Sequence, residues 1–146
     1  MGYALFAQRK IVLDGQLNSA QLQQTQRSNE QFALATRHTG LQQQLSSLAA
    51  AQSAELADLY GQLAESDSDK RDSINSRIKQ KEQLFQRETD AINRQVYQVS
   101  IKESSLEMEV KRLDTVVTKL QEELEAVEEA EGKAIDRATP KFNGIG

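Results

Sequence analysis

The stretch that decides the fold is IKQKEQLFQRETDAINRQVYQVSIKESSLEMEVKRLDTVVTKLQEELEAV, residues 78–127. Stepping from Ile78 alternately by four and three gives Ile78, Glu82, Phe85, Thr89, Ile92, Val96, Val99, Glu103, Leu106, Val110, Leu113, Val117, Leu120, Leu124 and Val127, and twelve of these fifteen are apolar. A repeat averaging about 3.5 residues keeps one apolar seam on one side of a slightly underwound helix, which predicts left-handed coiling against a neighbour. Val96, Val110 and Val117 fall at the alternate position of the repeat, where β-branched side chains pack well. The twelve apolar members, Ile78, Phe85, Ile92, Val96, Val99, Leu106, Val110, Leu113, Val117, Leu120, Leu124 and Val127, are expected to close an intramolecular seam.

The first half carries the same period in weaker form: Tyr3, Phe6, Lys10, Leu13, Leu17, Ala20, Gln24, Arg27, Gln31, Leu34, His38, Leu41, Leu45, Leu48. An additional four-residue step past Gln52 brings in Leu56, Leu59 and Leu63, the mark of a stutter that relaxes the supercoil. Between Gln21 and Gln31 the chain reads QLQQTQRSNEQ, with almost nothing apolar at the seam positions. This is where the pairing should be loosest. Where the two halves meet, ESDSDKRD at 65–72 is the one central cluster of small and acidic residues, and Ser66 or Ser68 is placed to cap a second helix.

The expectation is therefore an all-α chain, a single antiparallel helical hairpin, with helices over 3–64 and 70–133, a turn at 65–69 and a non-helical tail at 134–146. Residues whose numbers sum to about 134 would lie side by side by the geometry of such a turn. That places Glu122, Glu123 and Glu125 beside Arg9 and Lys10.

Composition agrees and excludes much else. The 146 residues are 38% apolar and only 5% aromatic, with no Cys, no Trp, one Pro and seven Gly, which argues against β and α/β folds. Without cysteine there is no disulfide framework, zinc ribbon or thiol nucleophile, and the lone His38 excludes a histidine-based relay. Asp67, Asp69 and Asp72 lack the glycine and closing glutamate of a calcium loop. Tyr3, Tyr60 and Tyr97 are scattered, and no glycine-rich phosphate loop is present. The reading is not an enzyme, with no cofactor, no metal and no small-molecule substrate.

One seam leaves a hairpin of this kind almost all surface, so its outward apolar residues carry information. Leu84, Tyr97, Ile101, Met108 and Val116 lie off the seam of the second helix, and Ile11, Leu22 and Phe32 off that of the first. With Tyr3 and Phe6 at one terminus and Ile135, Phe142 and Ile145 at the other, they form the expected set of contacts between subunits. Charge is uneven: residues 70–94 are locally basic, and 122–131 hold six glutamates and no base, which favours staggered association of identical subunits. With a net charge of −4 the chain is no nucleic-acid binder. MGYALFAQRKIVL is interrupted by Gln8, Arg9 and Lys10, so it reads neither as a signal peptide nor as a membrane span, and Phe6 spoils a myristoylation match at Gly2.

In this organisation, long paired helices rich in glutamine and small polar residues with no cysteine, the chain resembles flagellin cores and type III secretion filament proteins. That resemblance implies a structural subunit which polymerises with copies of itself into a helical filament or tube, outside the cell or on its surface, exported without a cleaved signal. The alternative is an intracellular coiled-coil adaptor or chaperone-like module forming a small closed oligomer. Prefoldin subunits are also coiled-coil hairpins, but ESDSDKRD is too short for the β-hairpins they place at that junction.

Overall fold

The computed structural model describes residues 2–138, apart from the side chains of Tyr3 and Ala138, and forms a hairpin of two helices, α1 over Gly2–Glu65 and α2 over Ser68–Ala138. Only Ser66 and Asp67 separate them, so the turn is shorter than the expected 65–69. Ser66 closes α1 rather than opening α2: its backbone N–H and its hydroxyl both donate to the Leu63 carbonyl, at 3.3 and 2.8 Å. The carbonyl of Asp67 accepts from Lys70 and Arg71 at 3.0 and 3.2 Å, which makes Asp67 the N-cap of α2, with Asp69 complementing the first turn.

α2 also runs past the expected end at Lys133. Gly132 is a single helix-weakening residue, about 1 kcal/mol relative to alanine, and the inward rhythm continues across it through half-buried Glu131 and Ala134. Residues 134–138 are therefore helical, in place of the first part of the expected tail. Phe142 and Ile145 lie outside the described residues.

The chain divides into two units, Met1–Gln31 with Ser105–Gly146 and Phe32–Ser104. In the first, Leu13 and Leu113 are the deepest side chains, 1% and 2% exposed, joined by buried Ala20 and Val117. Leu106, Val110, Leu120, Leu124 and Val127 of the expected seam are half-buried around them. Toward Gln31 the inward positions turn polar, as the glutamine run implies. There the Gln24 amide donates to the Asp114 carboxylate, and Arg27 Nε meets Glu109 at 2.9 Å while its Nη1 holds Glu30. Nearer the N-terminus Arg9 lies 3.7 Å from Glu123, and Lys10 reaches Glu131 at 2.9 Å instead of the nearer glutamates.

In the second unit Leu41, Ile74, Ile78, Phe85 and Val99 are buried, and Ile92 and Val96 half-buried. The seam of α2 begins at Ile74, four residues before the expected Ile78. Lys81 and not Glu82 takes the next inward place, its Nζ 6.0 Å above the Phe85 ring and 3.4 Å from Glu55. Glu82 faces outward and accepts from the Tyr60 hydroxyl at 3.1 Å. Inward residues of α1 run 48, 52, 56, and those of α2 run 81, 85, 89, so each helix takes two consecutive four-residue steps where the other does.

Arg9–Glu123 sums to 132, but the other contacting pairs sum to more than the expected 134, from 136 for Arg27–Glu109 to 142 for Tyr60–Glu82. Helical side chains lean toward their own N-terminus, so each covers a spot about one residue before its Cα. In an antiparallel pair this raises the contacting sum by about two over the sum of level residues.

Candidate functional site

Among the described residues no three His, Cys, Asp or Glu side chains gather to hold a metal ion, and no helix is long and apolar enough to cross a membrane. The one histidine is part of a polar seam contact. His38 Nδ1 lies 2.8 Å from Glu103, and the Gln42 amide lies 3.2 Å from Nε2. A carboxylate only accepts, so in the neutral ring Nδ1 carries the proton and Nε2 receives the Gln42 amide. The three side chains satisfy one another inside the hairpin.

The features left without an internal role are apolar and outward. In the first unit Leu5, Ile11, Val12, Leu22 and Met108 are exposed, Ile11 to 73%. Ile11, Gly15 and Leu22 share one face of α1, at spacings of four and seven, and an open groove of about 570 Å³ lies beside them between Val12, Ala20, Leu113, Val116 and Leu120. In the second unit Phe32 is 76% and Tyr97 68% exposed, with Tyr60, Leu84 and Ile101 also in solvent. A second groove there is lined by Gly40, Gln43, Gln44, Ser47, Leu48, Ile92 and Gln95.

Of the expected contact set, Ile11, Leu22, Phe32, Leu84, Tyr97, Ile101, Met108 and Ile135 are exposed. Phe6 and Val116 are half-buried instead. Phe6 belongs to the four-three series of α1 and so turns toward α2, and Val116 flanks buried Val117 at the groove wall. The Tyr3 side chain, Phe142 and Ile145 fall outside the description. Sequence reasoning missed Leu5, Val12 and Tyr60; Leu5 and Val12 are one heptad apart and directly precede seam residues, a spacing that could have been read.

Charge is redistributed by the fold. The first unit has nine Lys and Arg against twelve Asp and Glu, and the second has nine against ten. The basic run at 70–94 shares its unit with Glu55, Asp58 and Glu65 of α1, so the opposite poles visible in the linear sequence do not survive folding back. Several side chains are tuned by their partners. The hydrogen bond to Glu131 raises the Lys10 ammonium above its ordinary range, against an opposing effect of burial. Glu30 and then Glu109 raise Arg27, and Glu82 raises the Tyr60 phenol. These shifts follow from structural ion pairs and hydrogen bonds already in place.

No known protein family matches the chain, and neither a characterised protein nor a solved structure is similar to it.

Proposed function

We infer that the chain is a structural subunit that self-assembles, with the α1–α2 seam closing each hairpin and the outward apolar faces joining copies into a filament or tube. A single observation carries this reading. Among the described residues eleven large apolar side chains stand in solvent, Phe32 to 76% and Ile11 to 73%. The outward apolar residues lie on both helices and in both units, which supports more than one neighbour per subunit. Contacts of that kind close into rings or propagate as filaments according to their rotation. The extracellular setting rests on the organisation of the sequence alone, which resembles that of exported filament proteins.

Sedimentation velocity over a concentration series, with electron microscopy of the same samples, tests the assignment. Expected are mass that grows with concentration and elongated particles of constant width. A monomer at every concentration, or one small closed oligomer, overturns it.

A further inference from the structure

The surface residues of the first unit include a glycine that the hairpin itself does not need. Gly15 sits in the interior of α1, where glycine weakens a helix relative to alanine. Its φ is not positive, and a Cβ built there meets nothing within 4 Å. Neither backbone conformation nor packing against α2 accounts for it. What a bare helix position does offer is close approach from outside, and Gly15 lines the groove walled by Val12, Leu113, Val116 and Leu120.

The chemistry of this surface selects its occupant. From Gly15 to Asn29 the only charged residue is Arg27, which Glu30 and Glu109 already hold. The polar groups that α1 contributes to the groove are Gln16, Ser19 and Gln23. Amides and hydroxyls both donate and accept, so such a surface can pair with its own copy, whereas a surface of one charge sign meets its copy with like charges opposed. Arg112, on the α2 wall, is the single charged lining residue.

We propose that this groove takes the same stretch of a second copy, the two α1 helices crossing at Gly15 about a two-fold axis with Ile11 and Leu22 of each against the other. The proposal rests on the self-assembly reading above and names one of its interfaces. In an isologous contact every side chain is used twice, so a substitution at the crossing counts doubly.

The full chain, Gly15→Leu, Gly15→Ala and, separately, Ile101→Gln are compared by sedimentation equilibrium, with circular dichroism to confirm equal helicity. Gly15→Leu is expected to raise the dissociation constant of the α1 contact about tenfold or more, and Gly15→Ala to raise it less while making the diluted hairpin more heat-resistant. If both glycine variants associate as the parent does, self-assembly stands and this interface is wrong. If the parent is monomeric throughout, both readings fall. Because the chain has no cysteine, Ser19→Cys with a short bismaleimide gives a second readout. A covalent dimer supports the two-fold crossing, and its absence in associated samples overturns it.

Discussion

Gln52 on α1 donates its side-chain amide to the main-chain carbonyl of Phe85 on α2 at 3.3 Å, at the level where both helices take two four-residue steps in succession. Thr89 Oγ1 lies 3.5 Å from the same amide. A stutter in one helix alone would turn its seam away from a partner that kept strict heptads. Here the phase slips together, and a long polar side chain occupies the seam at that level. Gln52→Ala removes the hydrogen bond and should lower stability by about 1 kcal/mol, read from urea melts, with helical content unchanged. An unchanged midpoint would show that the paired stutter needs no filling.

The inner and outer faces should answer differently to charge. Leu113 is 2% exposed, and Leu113→Asp places an unpaired carboxylate between the helices at a cost of roughly 3–5 kcal/mol. Val110→Asp, at a half-buried position, should cost less but act in the same direction. Ile101→Asp lies in solvent and should shift the midpoint by less than about 0.5 kcal/mol while reducing association. Dichroism and sedimentation responding alike to all three would abolish the division into two faces.

The pairing of Arg27 with Glu30 and Glu109 should be visible as salt dependence. These groups are partly solvated, so raising ionic strength screens them. The parent should lose more stability between low and high salt than Arg27→Met does, measured by thermal melts of dilute protein. Equal salt slopes would mean that the ion pairs contribute nothing to the fold.

Tyr60 predicts an alkaline transition. Its hydrogen bond to Glu82, then the charge of that carboxylate, raises the phenol above its ordinary value. A folded-state pKa above the unfolded one stabilises the fold below the unfolded value, and that contribution is lost as pH rises through the folded one. Ultraviolet titration of the phenolates should show one tyrosine ionising late, and Glu82→Gln should bring it back toward its ordinary value while removing that alkaline loss together with the stability the contact adds at lower pH. A titration insensitive to Glu82→Gln would show the contact absent in solution.

The helical class and the inward residues of both helices were legible because period alone encodes them. From Phe6 to Leu48 each member of the weak four-three series is half-buried or buried, polar ones included. Gln24, Arg27 and His38 were readable as seam positions but not as partners of Asp114, Glu109 and Glu103, since cross-helix pairing depends on the turn and on the lean of the side chains. Periodicity set Glu82 inside; the second stutter, which α2 shares with α1, turned it out and drew Lys81 in. The charge poles misled for a simpler reason: a linear chain does not display what folds alongside it. Boundaries were least visible, because Gly132 looks like a stop and only the continuing rhythm through Glu131 and Ala134 argues otherwise.

The linker of Ser66 and Asp67 has a topological consequence. If those two residues joined the helices on either side, α1 and α2 would become one uninterrupted span, and two such spans lying head to tail would reproduce each α1–α2 contact between chains instead of within one. The long seam is indifferent to that exchange. What separates a self-contained molecule from an interlocked pair is the energy of a bend held by the Ser66 hydroxyl on Leu63 and the Asp67 carbonyl on Lys70 and Arg71.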